Sequence, residues 1–124
     1  MADLKKPAQA WDEFLAGFDW TVYDENTVPE DASIPRITYN WAESEIGTPV
    51  LLTASLWDRS RSWANVSRKA DEMFEAIGYG GVTIPVQGGY MWVLRGTPFS
   101  QRMADPDDSI RRIVINIQAE FLRA

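Results

Sequence analysis

The chain has 124 residues, and its 12 basic and 18 acidic side chains give a net charge of −6 at pH 7. Because it contains no cysteine and no histidine, the composition excludes disulfides, thiolate or imidazole metal sites, and catalytic triads with an imidazole base. The acidic balance disfavours a nucleic-acid surface, which needs a basic excess, and no apolar run approaches the roughly 18 residues of a membrane span.

The first half of the sequence predicts one helix followed by two strands. Pro7 suits the first turn of a helix, and four apolar residues then recur at the spacing of one helical face: Trp11, Phe14, Leu15 and Phe18. Residues 19–36 mix Pro, Asp, Asn and Glu, which predicts an ordered loop with a short extended piece at 21–23. The stretches RITYNW and VLLTASLWDRS then alternate apolar and polar residues, as half-buried strands do.

The second half predicts one helix followed by three strands. Ser60 or Ser62 is expected to cap a helix that ends at Gly78. The stretches GVTIPV and YMWVLRG flank a QGG turn and predict a hairpin, whose first strand lies at a sheet edge because it contains Pro85. The following RGTPFSQ is expected to stop the ladder of the second strand. The last strand, IRRIVINIQAEFL, is predicted to turn one apolar set inward: Ile113, Ile115, Ile117, Ala119 and Phe121.

Together these elements predict one domain of the α+β class over residues 1–124. Their order is helix, two strands, helix, three strands. The predicted architecture is an antiparallel-rich mixed sheet of about four or five strands that packs against two helices. With no cysteine to pair and no apolar leader segment, the protein is expected to be made and used in a cytoplasm.

Residues with catalytic or binding chemistry are few. Asp105, Asp107 and Asp108 lack the glycine turn and distal glutamate of a calcium loop, so they predict a turn before a strand. Trp57 and Trp63 flank DRSRS and could stack bases, but the acidic chain favours a strand end and a helix cap. The glycines of GYGG and QGG lack the spacing of phosphate or dinucleotide loops. We therefore expect no enzyme activity, no cofactor and no metal, with a carboxylate hydrolase as a remaining alternative.

The RGTPFSQR segment is a candidate contact surface for another protein. Six tryptophans exceed what one small core buries comfortably, so some aromatic residues are expected at interfaces. In this segment Pro98 stiffens the loop and Phe99 offers an apolar anchor, while Arg95, Gln101 and Arg102 offer hydrogen-bond donors. Arg95 is expected to matter more for assembly than for folding. The alternative is a buried turn in which Phe99 belongs to the protein's own core.

Two charged regions are further candidates for interfaces. Arg59 and Arg61 lie between the second strand and the second helix and carry basic charge. The loop at residues 19–33 offers an acidic surface, with four candidate residues: Asp24, Glu25, Glu30 and Asp31. Opposite charges of this kind suit contacts between complementary surfaces, although charged loops are often simply solvated.

Three motifs, taken in order, resemble a known protein family. They are TVPEDASIPRITY, the LWDRSRSW junction of strand and helix, and RGTPFSQ. Over about Phe18 to Phe121 the chain resembles the small tail terminator proteins that are encoded in the structural modules of long-tailed phages and prophages. The resemblance implies a non-enzymatic virion protein with the fold predicted above, assembled in the cytoplasm of the host bacterium.

The resemblance also implies particular partners. Copies of the protein are expected to form a hexameric ring that caps the growing tail tube and later meets the head connector. Such a head-to-tail ring needs two different surfaces on each copy. The alternative is another head–tail joining protein, such as a stopper or adaptor of the neck, because these proteins share small size, ring assembly and acidic charge. No membrane and no sequence-specific nucleic acid is expected among the partners.

Overall fold

The computed structural model describes residues 4–123, which contain two helices and six strands. The helices are α1 (Pro7–Ala16) and α2 (Ala64–Ile77). The strands are β1 (Thr21–Asp24), β2 (Arg36–Tyr39), β3 (Val50–Arg59), β4 (Val82–Val86), β5 (Gly89–Met103) and β6 (Ile110–Arg123). They form one sheet in the order β1-β2-β3-β6-β5-β4. This confirms the α+β class and the predicted element order, except that an additional strand precedes β2.

The additional strand is β1, which corrects the predicted count of four or five strands to six. It contains the short extended piece expected at 21–23, and it pairs in parallel with β2. All other neighbouring strands pair antiparallel. With only four residues, β1 has too short an alternation to be distinguished from a loop by its sequence pattern.

The core lies on one face of the sheet and is centred on β3 and β6. The inward residues predicted for β6 are all buried, with Ile115 and Ile117 fully inaccessible. Leu52, Ala54 and Leu56 of β3 are buried beside them, because β3 and β6 pair in register over ten residues. The period-two alternation of both strands therefore identifies the core side correctly.

Helix α1 joins the two edges of the sheet. Pro7 is its first residue, and Trp11 and Leu15 are fully buried. The helix contacts β1 and β4, which lie at opposite edges in the strand order. The sheet is therefore curled, and α1 packs across the opening between its edges.

Helix α2 packs on β3, β5 and β6 through the side predicted to be apolar. Val66, Ala70, Met73 and Ile77 are buried, and the helix ends at Gly78 with the expected positive φ of 74°. The predicted serine cap is wrong, because the N-cap residue is Trp63 and makes no side-chain cap bond. Ser62 acts one residue earlier, where its Oγ accepts a hydrogen bond from the backbone N–H of Ala64 at 3.1 Å.

The hairpin of β4 and β5 turns at Gln87 and Gly88, within the predicted QGG stretch, and places Pro85 on an edge strand. However, the expectation that RGTPFSQ stops the ladder is wrong, because β5 continues to Met103 after a register shift between Arg95 and Ser100. At the shift Gly96 approaches β6 so closely that a Cβ would lie 2.6 Å from the carbonyl oxygen of Asn116. The Asn116 side chain donates to the Pro98 carbonyl at 2.9 Å, which holds the bulge against the sheet.

Candidate protein interaction surfaces

The RGTPFSQR segment is divided between the two faces of the sheet. Arg102 is paired with Ile113, whereas Gln101 is paired with Val114, so their side chains project to opposite sides. Gln101 lies on the outer face and accepts a hydrogen bond from the Asn116 amide at 3.2 Å. The segment therefore does not present all of its predicted polar groups on one surface.

Arg95 contacts the last turn of α2. Its guanidinium lies 3.3 Å from the centroid of the Phe74 ring, and its Nε and Nη2 donate to the Phe74 carbonyl at 3.0 and 2.7 Å. The same carbonyl also accepts a hydrogen bond from the backbone N–H of Gly78 at 3.2 Å, and a cation is favourable at this end of the helix dipole. Arg95 thus stabilises the fold, a role that the sequence analysis did not assign to it.

Phe99 is half-buried and packs edge-on against Phe74, with ring centroids 5.2 Å apart. It follows the exposed Pro98 at the tip of the bulge. The anchor that was predicted for a partner protein thus makes an intramolecular contact, as the alternative prediction stated. Its remaining exposed edge lies beside the exposed face of Phe74, so the two rings form one small apolar surface.

Six of the nine arginines lie at one end of the sheet, where β2 and β6 begin and β3 and β5 end. We call this the arginine end; it comprises Arg36, Arg59, Arg61, Arg102, Arg111 and Arg112. Four aspartates lie at the same end: Asp58, Asp105, Asp107 and Asp108. The arginines outnumber them, so this end is positive although the whole chain is negative.

Four of these arginines make cation–π contacts with two tryptophan rings. The guanidinium carbons of Arg36 and Arg112 lie 5.5 and 4.5 Å from the Trp57 ring centroid, in the cross-strand row that joins β2, β3 and β6. Trp57 is itself fixed by a hydrogen bond from its Nε1 to the Thr38 hydroxyl at 3.0 Å. A guanidinium that lies on an aromatic face is stabilised there, and its N–H groups remain at the ring edge.

The second stack surrounds Trp63 at the start of α2. Arg102 and Arg111 approach its ring centroid to 4.8 and 5.5 Å. Arg111 also donates to the carbonyls of Asp108 and Arg61, each at 2.9 Å, and so ties the loop before α2 to the turn before β6. Its guanidinium is therefore a structural tie, whereas Arg102 remains exposed.

Arg59 and Arg61, both predicted interface residues, are exposed at this end. Arg59 donates to the Ser109 hydroxyl at 3.1 Å and lies 3.8 Å from the Asp107 carboxylate. Hydrogen bonds from the Ser109 hydroxyl and backbone N–H lower the pKa of Asp107, and Arg59 lowers it further. The predicted turn at Asp105–Asp108 is present. Within it, the carboxylates of Asp105 and Asp107 each accept a hydrogen bond from the backbone N–H two residues ahead.

The acidic loop lies along the β1 edge. Glu25, Glu30 and Asp31 are exposed, and Asp24 accepts a hydrogen bond from the Asn26 N–H at 2.9 Å. The loop begins beside Tyr39, whose carbonyl accepts from the Glu25 N–H at 2.9 Å, and returns to the start of β2. The four predicted residues thus divide, with Asp24 and Glu25 at the end of the sheet that is opposite to the arginines.

More carboxylates gather at that opposite end, which we call the acidic end: Asp12, Asp24, Glu25, Glu43 and Glu45. Asp12 accepts the Tyr39 hydroxyl at 2.9 Å. Burial is the largest cause, and together with the hydrogen bond and negative charge of Asp12 and the charge of Asp24 it raises the pKa of Tyr39 to about 12. Lys5, Lys6 and Arg123 are the cations near this end, and Lys5 pairs with Glu13.

The sequence pattern alone did not reveal the arginine stacks or three of the five carboxylates of the acidic end. Trp57 and Trp63 were interpreted as a strand end and a helix cap, with base stacking as the alternative, although each lies beside arginines whose positions depend on the strand register. Glu43 and Glu45 were not among the candidate residues. A signal was available, because Arg36 begins β2, Arg112 lies near the start of β6 and Trp57 lies near the end of β3, so antiparallel pairing brings all three to one end.

Three further observations concern metal binding, membrane-spanning helices and the form of the charged surfaces. Among residues 4–123, no three acidic side chains come close enough to hold a metal ion. No helix in the same residues is long and apolar enough to cross a membrane. The charged clusters described above are instead open surfaces that lie at the two ends of one sheet.

Comparison with known proteins finds a likeness in fold. A chain of a solved structure described as the virion of a native gene transfer agent (GTA) particle matches with a TM-score of 0.58 and 18% sequence identity. The match covers 85% of this chain and 81% of that chain. No protein-family description matches the sequence, and no curated protein matches it. The likeness therefore shows that this curled α+β fold also occurs in a component of a virion.

Proposed function

We propose that the protein is a structural component of a phage-like virion and that it acts as a tail terminator. Copies form a ring on the end of the tail tube, stop its growth and offer a surface to the head connector. The observation that carries this proposal is the shared fold with a chain of a gene transfer agent virion, which extends over most of both chains. The ordered motifs TVPEDASIPRITY, LWDRSRSW and RGTPFSQ support the terminator role in particular.

The surface chemistry is consistent with this role. A ring of identical subunits uses two different surfaces on each copy, and the arginine end and the acidic end are two such surfaces. The candidate residues Arg59, Arg61 and Arg102 belong to the first, and Asp24 and Glu25 belong to the second. Glu30, Asp31, Pro98, Phe99 and Gln101 remain candidates for contacts with the tube or the connector.

The proposal assigns no catalytic role. The chain lacks the cysteine and histidine side chains that serve most often as nucleophile and base, and a carboxylate pair would need a cleft that separates two pKa values. Its acidic groups lie mainly on open surfaces. Activity against ester or glycoside substrates that disappeared on replacing one carboxylate would contradict this assignment.

A head–tail joining protein of the neck is the second candidate function. Proteins of this kind would use the same fold size, acidic charge and ring assembly, so the surfaces alone do not separate the two. Gene order offers a first test. A tail tube gene directly downstream favours a terminator. An adaptor gene directly upstream, with other tail genes between this gene and the tail tube gene, favours a neck protein.

Deletion of the gene and electron microscopy of the resulting particles test the proposal directly. A terminator deletion should give overlong or unfinished tails, because nothing stops tube growth. A neck-protein deletion should instead give tails of normal length that lie free beside filled heads. Complementation with the wild-type gene should restore normal particles in either case, and particles of normal morphology in the deletion would contradict both functions.

A further inference from the structure

The two ends of the sheet have opposite charge and are separated by the length of the central strands. The arginine end collects six guanidiniums, four of which stack on Trp57 and Trp63. The acidic end collects five carboxylates, and Glu25, Glu43 and Glu45 among them are exposed. Because β3 and β6 are paired over ten residues, the ends lie roughly 30 Å apart at the usual rise per residue.

The acidic end also contains an apolar groove. Ile46 from the loop before β3, Tyr90 from β5 and Leu122 from β6 line it, and their side chains are 55%, 42% and 37% exposed. Glu43 and Arg123 lie at its border. The groove has a volume of about 490 Å³. Exposed apolar side chains with a charged border are typical of sites that bind another protein.

We propose that this groove and the surrounding acidic end bind the arginine end of a second copy of the chain. This inference rests on the proposed ring function and specifies its contact between subunits. Charge complementarity selects the occupant: a negative surface with an apolar floor fits guanidiniums whose aliphatic stems can lie on Ile46 and Leu122. The same chain carries that complementary surface at the opposite end of its sheet.

The geometry favours a head-to-tail contact. Each copy presents one arginine end and one acidic end, so the contact is heterologous and repeats until rotation closes a ring. The stacks on Trp57 and Trp63 hold Arg36, Arg102 and Arg112 in place before binding, which reduces the entropy lost on association. Ionic strength should weaken the contact, since exposed charges are screened by salt.

Engineered cysteines give a direct test, because the natural chain has none. The variant carrying both Arg61→Cys and Glu45→Cys places one thiol at each end. Under mild oxidation it should form a reducible ladder of dimers, trimers and larger species, at least about tenfold above a control carrying Arg61→Cys and Glu75→Cys. Glu75 is an exposed residue of α2 outside both ends. Each single-cysteine variant should remain almost entirely monomeric, since the two identical ends do not meet.

Charge reversal gives an independent test in solution. The variants R59E/R61E and E43R/E45R should each self-associate at least about tenfold more weakly than the wild type in sedimentation experiments at low salt. Mixed in equal amounts, they should associate again, because one variant then presents two negative ends and the other two positive ends. The matched control E72R/E75R changes the net charge as E43R/E45R does but should associate like the wild type.

Several outcomes would overturn the proposal. The first is that the single-cysteine variants form as much disulfide dimer as the double variant forms ladder. The second is that the double variant gives no more ladder than its control. The third is that the mixture of charge-reversed variants stays monomeric while both variants remain folded by circular dichroism. A ladder combined with normal tails in the deletion strain would support the contact and contradict the terminator role. The ladder and the tail morphology are separate measurements, so failure of the contact and failure of the terminator role are distinguishable.

Discussion

Strands β5 and β6 are neighbours in the sheet, yet their sequences relate to their structures in different ways. In β6 every second residue from Ile113 to Phe121 is buried, and the alternation alone predicts the face of each side chain. In β5 the alternation holds up to Arg95 and fails across the bulge; the pairing with β6 resumes at Ser100 with a shifted register, but the side chains from Ser100 to Met103 are all exposed. Regular strands can thus be interpreted from local pattern, whereas a bulge depends on what the rest of the fold places beside it.

Replacing the centre of β6 should have the largest effect and tests the regular half of this comparison. Ile117→Ala removes a fully buried side chain between two strands and should lower the free energy of unfolding by about 2–5 kcal/mol. Gln118→Ala is the matched control on the outer face and should change it by less than about 0.5 kcal/mol. Denaturant unfolding measures both. A larger loss from Gln118→Ala would reverse the assignment of the faces.

Gly96 tests the irregular half. A Cβ at this position would lie 2.6 Å from the Asn116 carbonyl oxygen and 2.7 Å from its carbonyl carbon. Because those atoms belong to the backbone of β6, Gly96→Ala should force the strands apart and lower the unfolding free energy by about 1–3 kcal/mol. Gly88→Ala is a less crowded comparison, since nothing lies near its Cβ position, although its positive φ of 83° adds some strain. A neutral Gly96→Ala would show that the bulge is loosely packed.

Arg95 tests whether the bulge also supports α2. Arg95→Ala removes two hydrogen bonds to the Phe74 carbonyl and a contact with its ring, so thermal unfolding should indicate a loss of about 1 kcal/mol. Arg61→Ala, at an exposed position, should leave stability unchanged. This replaces the expectation that Arg95 matters more for assembly than for folding. Equal melting temperatures for the Arg95→Ala variant and the wild type would restore the earlier interpretation.

The smallest expected effect on stability is at Tyr39, and it tests whether a regular strand also depends on a residue that is distant in sequence. Its pKa is raised to about 12 in the folded protein, so the associated stability is present below the unfolded pKa of about 10 and is lost as pH rises from there through 12. Tyr39→Phe should cost about 1 kcal/mol at pH 7 by removing the bond to Asp12. Unfolding between pH 8 and 11 should show a smaller alkaline loss in this variant.

The fold was largely predictable because its main strands and helices obey simple periods. The α2 side containing Val66, Ala70, Met73 and Ile77 recurs at helical spacing, and Gly78 supplies the left-handed stop. Strand β1 was not predictable as a strand, because four residues between polar loops contain too little alternation. Its pairing requires β2 beside it in parallel, and no local pattern encodes that neighbour.

The candidate surfaces were less predictable for a related reason. Arg95 and Phe99 were predicted to contact partner proteins, but Phe74, which lies 21 and 25 positions earlier in the sequence, contacts both side chains. Arg36, Trp57 and Arg112 looked unrelated, yet antiparallel pairing sets them in one row. Contacts between distant residues depend on strand order, and strand order was beyond the reach of local periodicity.

The position of β6 between β3 and β5 has a consequence for how the molecule opens. Without β6 the sheet would fall into two unconnected parts, β1-β2-β3 and β4-β5, because no other strand joins them. Neither part retains a covered core face alone, so partial opening exposes nearly as much apolar surface as complete unfolding. The amides of β6 should therefore exchange with deuterium only through global unfolding, at a rate set by total stability, whereas those of β1 should exchange through local fraying. We therefore expect this strand order to favour cooperative unfolding.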